Sequence, residues 1–316
     1  MSAPLVAAVT GASSFTGLWI ARELQARGWE VHALCPRAAD EYAGLRGLRV
    51  QLLQESVRVH FDVRAEDGGF ARWVRSHRPA VWVHHHHWME AFRSPDYDVA
   101  AATRIGLDPL PDLVAALAES AAHGVIYSGS FFEPGEGGNS VEAAATPYAH
   151  SKRAVWEALA RLATSAGVLV SKIVIPNPIG PLENDERVVP TLIRHTLTRT
   201  KFVLNTPAAV SDYLPWSHLA RIYEQVARDL IDGRGRIVRP AGLLATAREW
   251  VDIVRRDLIE RRLHLTPCEV EAASGSAGSS FRNPDDERTA IEWDHVWDDY
   301  AAWITRLDLL RTWATD

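Results

Sequence analysis

The sequence predicts an α/β fold: a doubly wound parallel sheet with helices on both faces, followed by a smaller, mainly helical lobe. Three observations carry this. Through the first half of the chain, short apolar runs alternate with helical patterns, the rhythm of parallel strands joined by crossover helices. The first apolar run passes through a glycine-bearing turn straight into a helix. After Pro176 the alternation breaks, and Pro176, Pro178, Pro181 and Pro190 punctuate a loop-rich stretch. The boundary is accordingly set at residue 175, with 1–175 as the sheet domain and 176–316 as the lobe, interleaved with the sheet.

In chain order, Leu5–Val9 is the first strand, and the helix after the turn puts Leu18, Ala21 and Leu24 on one face and ends at Gly28. Glu30–Leu34, Val57–Phe61 and Val81–His84 are the next strands. Ile105–Ala122 reads as one helix with prolines near its start, Val125–Tyr127 as a fifth strand, Ala149–Thr164 as a long helix and Leu169–Ile175 as a sixth strand. Right-handed crossovers between such strands give the doubly wound arrangement. In the lobe, helical patterns recur at Thr191–Thr200, Leu219–Asp232 and Ala247–Arg261. Ala272–Ser280 is small and polar, a surface loop, and Trp293, Trp297, Trp303 and Trp313 mark a tail packed by large rings.

Composition narrows the function classes. A chain of 316 residues with 47% hydrophobic and 23% charged residues is that of a folded globular protein. Its net charge of -6 and the lack of a Lys/Arg block exclude a phosphate-tracking nucleic-acid binder. The N-terminal apolar stretch lacks a basic leading region and no run is long enough to span a bilayer, so neither a signal peptide nor a membrane partner is expected. Cys35 and Cys268 lie far apart with no metal-type spacing, which fits a reducing cytoplasm.

The turn Thr10-Gly11-Ala12-Ser13-Ser14-Phe15-Thr16-Gly17 is the first chemical signal. Gly11 permits the sharp exit from the strand and Gly17 lets the helix pack close to the sheet. The helix N-terminus then offers N–H groups and positive dipole character to a pyrophosphate, so Gly11, Ser13, Ser14, Phe15, Thr16 and Gly17 are expected at a dinucleotide. At the end of the second strand an acid would bind a ribose 2′-OH, whereas an arginine would take a 2′-phosphate. Cys35 holds the acidic slot and Arg37 follows two residues on, which favours NADP over NAD.

Tyr148-Ala-His-Ser-Lys152 opens the long helix, placing the phenol and the ammonium four apart on one face. A free phenol titrates too high for proton transfer at neutral pH, and a neighbouring ammonium is expected to lower it. Seven tyrosines among only three lysines (Lys152, Lys172 and Lys201) give roughly 0.07 such pairs by chance. The strand before this helix delivers Ser128 and Ser130.

These motifs resemble the extended short-chain dehydrogenase/reductase, or NAD-dependent epimerase/dehydratase, family over nearly the whole chain. The turn is similar to the family's TGxxGxxG, with Ser14 where the middle glycine is usual; a serine there has a Cβ, and its hydroxyl could donate a compensating hydrogen bond. The resemblance implies a Rossmann domain. In it Ser130 would hold the substrate oxygen, Tyr148 would exchange its proton, Lys152 would hold the nicotinamide ribose and Ser128 would lie near the nicotinamide. Asp62 matches the adenine-binding position, with Val63 beside it. His84, His85 and His86 fall in the slot of the VIHLAA strand end beside the cofactor. KIVIPNPIGP resembles RPxNxYGP, bringing Ile175 and Asn177 to the cofactor, in a form nearest to 4-keto sugar-nucleotide reductases. His87, Trp88, Phe131, Asn177 and Arg194 are expected at the substrate.

Two departures from the pattern matter. Ser211 stands where an arginine often grips the substrate diphosphate, so such a group would need Arg187, Arg194 or Arg199. The four-histidine run, with alternating directions and no acidic or cysteine partner, is not expected to bind metal. Ser130-Phe131-Phe132 also lacks the Thr-Asp-Glu set of sugar-nucleotide 4,6-dehydratases. The expected activity is NAD(P)-dependent interconversion of a carbonyl and an alcohol on a polar, sugar-like small molecule. The alternatives are an NAD-dependent sugar epimerase and, from another class, a non-catalytic NADP sensor on the same fold; the intact Ser/Tyr/Lys set argues against the latter. A homodimer is expected through the helices around Leu107–Ala122 and Val155–Ala166.

Overall fold

The computed structural model describes residues 4–92, 94, 96–138, 146–273, 279–284 and 290–315. In chain order the elements are β1 (Val6–Thr10), α1 (Phe15–Ala26), β2 (Glu30–Leu34), α2 (Gly44–Gln54), β3 (Arg58–His60), α3 (Gly69–His77), β4 (Val81–His84), α4 (Val99–Gly106), α5 (Leu110–Glu119), β5 (Gly124–Ser130), α6 (Pro147–Ser165) and β6 (Leu169–Ile175). There follow β7 (Asn177–Ile179), α7 (Val188–Leu197), β8 (Phe202–Leu204), β9 (Val210–Pro215), α8 (Trp216–Ile231), β10 (Ile237–Val238), β11 (Leu243–Thr246) and α9 (Ala247–Ile253). A turn of π-helix (Val254–Glu260) then leads to β12 (Val270–Ala272), β13 (Ser280–Phe281), α10 (Trp293–Arg306) and α11 (Leu309–Thr315).

The first compact unit spans residues up to Ile175 and takes back Trp216–Pro240. Its seven-stranded sheet has the order β10-β6-β5-β4-β1-β2-β3, and every pair is parallel. The inner strands β1, β2 and β4 are buried on both faces, which is why they read as apolar runs rather than alternating ones. α1 packs with α8 on one face, while α3, α5 and α6 share the other. There Trp82, Leu113, Leu117, Val155 and Leu159 form the centre of the core. The segment 216–240, expected in the lobe, belongs to this unit: α8 covers β4, β5 and β6, and β10 extends the sheet beyond β6.

The helix expected over 105–122 is two helices, α4 and α5. Pro109 has no N–H to continue the first and disfavours helical geometry at Asp108 before it. The fifth strand runs on past Tyr127 to Ser130, so both of its serines lie within the strand, paired with β6 at Ile173 and Ile175.

On the α3 face, His32 of β2 and His60 of β3 stack at 5.0 Å, and His77 at the end of α3 lies edge-on to both. Burial lowers the pKa of His32 and takes that of His60 down to about 4.

The second unit comprises Pro176–Pro215 and Ala241–Asp316. β11, β9 and β13 form a sheet joined by β7 along β9, and β12 pairs with β8. Its core is aromatic: Tyr213 stacks on Trp250 at 4.1 Å, and Trp250 meets Trp293 and Trp297. Asp212 is fully buried, accepting the Gly242 N–H at 2.6 Å and the Asn283 N–H at 3.3 Å. The helix expected over 247–261 changes to π-helix at Val254. Residues 274–278 of the expected surface loop lie outside the described residues.

Candidate active site

The glycine turn ends β1 and caps α1. Gly11 sits at φ +62°, where a Cβ would come within 2.8 Å of the His85 carbonyl, and a Cβ on Gly17 would run into the Gly11 carbonyl. Ser14 is the N-cap, and its hydroxyl accepts the Gly17 N–H at 3.1 Å. One lone pair of the Ser14 oxygen is thus engaged by the helix, and its O–H is left to donate to a ligand. Ser13 and Phe15 are buried. Thr10 ties the turn to the next strand: its hydroxyl donates to the Val83 carbonyl and accepts the N–H groups of His85 and His86.

At the adjoining strand ends, Cys35 is buried, with its thiol pushed up to about 11 by desolvation. Arg37 is exposed, and its N–H donates to the Tyr42 phenol at 3.3 Å. Tyr42 also interacts with Cys35 and Ser13, a placement no local pattern indicated. Asp62 has φ +57° and an exposed carboxylate 3.4 Å from Arg64. The Val63 N–H bonds the Cys35 carbonyl.

The four histidines run from the last residue of β4 into the segment beyond it, and their side chains diverge. His85 turns toward α1 and α8, where Nε2 meets Thr16 Oγ1 at 2.7 Å and Nδ1 meets Ser128 Oγ at 2.7 Å; Ser128 in turn bonds the Tyr223 phenol at 2.6 Å. His85 and Ser128, both expected at the cofactor, therefore have their side chains inside a four-residue network. His84 stacks on Tyr127, and His86 lies edge-on to Phe70. Desolvation takes His84 and His85 down to about 3 and holds His86 and His87 below the usual imidazole range. His84 Nε2, His86 Nε2 and His87 Nδ1 are buried with no hydrogen-bond partner among the described residues.

Thr146 caps α6 by accepting the Ala149 N–H, and Pro147 takes the first turn, where no N–H is needed. Tyr148 and Lys152 then share one face. Lys152 is buried, its Nζ 5.9 Å from the centre of the Tyr148 ring and 5.5 Å from that of Tyr127. Three rings close around Tyr148: His87 at 5.3 Å, Phe92 at 5.4 Å and Tyr97 at 5.9 Å. Behind it, Ser151 Oγ donates to the Tyr148 carbonyl at 2.7 Å and so accepts from His87 Nε2 at 3.0 Å, which leaves Nδ1 as the bare acceptor. Tyr97 donates to the Trp88 carbonyl at 2.9 Å.

The expected lowering of the Tyr148 pKa is corrected. Burial, with the carboxylate of Glu133 and the phenol of Tyr97, drives it well above the usual phenol range. Lys152 is the group that moves toward neutrality, down to about 8, because burial disfavours its charge more than Glu133 supports it. Glu133 itself was missed. It is fully buried, accepts the Ser130 N–H at 2.7 Å and pairs with Lys172 at 2.7 Å; Glu136 joins Lys172 to Arg239. The Ser130 hydroxyl accepts the Phe132 N–H at 3.2 Å and makes no hydrogen bond to Tyr148 among the described residues. Phe131 is buried against Phe132.

In the second unit, Asn177 Oδ1 accepts from Arg187, which also bonds Glu183 and the Pro178 carbonyl. Arg194 donates to the Asp185 carbonyl at 2.7 Å, and Arg199 is exposed.

A parallel seven-stranded sheet with a glycine turn after β1 and a Tyr-Lys pair opening α6 defines a dinucleotide-binding α/β protein of the short-chain dehydrogenase type. The profile of the NAD dependent epimerase/dehydratase family matches residues 7–236, and the chain belongs to that family. No curated protein sequence matches it significantly. Solved structures of similar fold include UDP-N-acetylglucosamine 4-epimerase from Methanobrevibacter ruminantium (15% identity, TM-score 0.74, covering 97% of this chain and 100% of that one). Another is UDP-glucose 4-epimerase from Thermus thermophilus, in complex with NAD (20%, 0.71, 95% and 99%). A third is a double mutant of the dTDP-glucose 4,6-dehydratase DesIV from Streptomyces venezuelae, with NAD bound (19%, 0.70, 95% and 96%).

Proposed function

We propose that this protein is an NAD(P)-dependent enzyme that interconverts a carbonyl and an alcohol on a sugar-nucleotide or similarly polar, sugar-like substrate. The observation that carries this is the start of α6, where the buried Lys152 ammonium lies 5.9 Å from the ring of the protonated Tyr148 phenol. The residues suit a dinucleotide. The turn from Gly11 to Gly17 keeps its backbone bare where a Cβ would collide, and the unpartnered His87 Nδ1 offers an acceptor beside Tyr148. Bound nicotinamide supplies hydride donation and uptake. Tyr148, holding its proton at neutral pH, gives it to the substrate oxygen in the reducing direction and recovers it in the other. Ser130 holds that oxygen, and Lys152 binds the ribose hydroxyls with its three donors. Glu133 anchors Ser130 through its N–H. An exposed Arg37 beside a neutral Cys35 supports NADP, and with it net reduction.

Family membership supports the redox chemistry, and the near-full-length likeness to two 4-epimerases favours a second reading: epimerisation with the cofactor retained. The two differ in one readout. Substrate-dependent consumption of NAD(P)H supports the reductase, and inversion at a sugar carbon without net redox supports the epimerase. In either case Tyr148→Phe is expected to keep cofactor affinity and lose about 100-fold or more in kcat; retained turnover would remove Tyr148 from the reaction. Buried free thiols at Cys35 and Cys268 fit a reducing, cytoplasmic setting, and among the described residues no helix is long and apolar enough to cross a membrane. Homodimerisation through α5 and α6 remains part of the proposal; Leu113, Leu117, Val155 and Leu159 already serve the core, so pairing would use their outward residues, and sedimentation tests it.

A further inference from the structure

We propose that His32, His60 and His77 form a binding site for a divalent transition-metal ion, Zn(II) by preference, on the α3 face of the sheet beside its β3 edge. The parallel register sets His32 opposite Arg58 and so brings His60, two residues on, to the same face as His32. The last turn of α3 adds His77, and one ring nitrogen from each histidine lies within 4.8 Å of the other two.

The hydrogen bonds around the cluster orient two of the three rings for a metal. His32 Nε2 donates to Glu30 Oε1 at 3.3 Å, which leaves Nδ1 as the bare lone pair. His77 Nδ1 donates to the Trp73 carbonyl at 3.0 Å, which leaves Nε2. These are the carboxylate and carbonyl supports that hold a ligating imidazole in one tautomer. His60 Nε2 faces His32 Nδ1 at 2.8 Å. With no acceptor left on His32 except Nδ1, the proton between them belongs to His60, and it moves to His60 Nδ1 when Nε2 takes the ion. Trp73 stacks flat on His77 at 4.2 Å and fixes its plane. Glu30 also pairs with Arg58 at 2.8 Å, so the nearest cation is already neutralised.

Bonds of about 2.0–2.1 Å in a tetrahedron require nitrogens about 3.3 Å apart, which small ring rotations reach from the present spacing. His32 is buried, His60 half-buried and His77 exposed, so the ion reaches the site from solvent past His77, and water takes the fourth position. An all-imidazole set excludes Mg(II) and Ca(II), which need oxygen ligands. Bound there, the ion would tie β2, β3 and α3 together two residues upstream of Asp62 and five upstream of Arg37.

The test is calorimetric titration of tag-free, chelator-treated protein with ZnCl2, together with thermal melts. Wild type is expected to bind one Zn(II) with micromolar or better affinity and to melt higher with it. His77→Gln, at an exposed position that leaves the fold intact, is expected to weaken binding at least tenfold and to lose the thermal shift, and His60→Gln to do the same. Anomalous scattering at the zinc edge should place the ion among the three rings. Absence of binding in wild type, equal binding in His77→Gln, or an ion found on His84–His87 instead would each overturn the proposal.

Discussion

Tyr148 starts the proposed reduction as an acid. The rings of His87, Phe92 and Tyr97 strip water from its phenol, so the proton stays on until a substrate oxygen accepts it. Lys152 is the titrating partner: with its pKa at about 8, its ammonium is lost as pH rises through that value. We expect kcat/KM to fall above about pH 8. Lys152→Arg, whose guanidinium stays charged, should move that limb upward even as the rate drops. A limb that stays in place would assign the ionisation to another group. The proposed preference for NADP rests on Arg37 at the same scale. Arg37→Ala should raise the Kd for NADPH about tenfold and leave that for NADH unchanged, as read by fluorescence titration.

At the scale of elements, the strand-turn-helix of β1 and α1 and the end of β5 hold the site. In the first, Gly17→Ala would drive a Cβ into the Gly11 carbonyl. We expect both a lower Tm and weaker dinucleotide binding, since the turn cannot open without shifting α1 off the sheet. In the second, Glu133 and Lys172 are both buried, and each compensates the other's charge. Glu133→Gln leaves the ammonium with only Glu136, already shared with Arg239, and should cost about 3 kcal/mol in denaturant unfolding. Adding Lys172→Met should restore much of that loss, because the pair removed together leaves no bare charge. No recovery would mean that Glu133 acts through shape alone.

Over the whole molecule, the sheet unit buries neutral imidazoles. His84 and His85 sit at about 3, against 6.5 in an unfolded chain. As pH drops below 6.5 the unfolded chain takes up protons that these folded rings refuse, so stability is lost on acidification, at up to ~1.4 kcal/mol per pH unit for each ring. Urea midpoints measured between about pH 7 and 5 should fall steadily, and a flat profile would show that the rings are charged in the folded state. The same unit also reclaims residues 216–240 from the far side of an insertion. No local pattern reports this, because the periodicity of α8 is that of any amphipathic helix.

The sequence by itself determined the parallel sheet, the glycine turn after the first strand and the Tyr148–Lys152 pair. Each is written in short-range order: apolar runs between helical patterns, glycines at a strand exit, two side chains one helical turn apart. Only the tertiary structure decided the protonation of Tyr148, the anchoring of Ser130 by Glu133, the path from Thr16 through His85 and Ser128 to Tyr223, and the meeting of His32, His60 and His77. Apart from the short reach from Ser130 to Glu133, those depend on desolvation and on partners tens of residues apart, brought together by packing that no window of sequence contains.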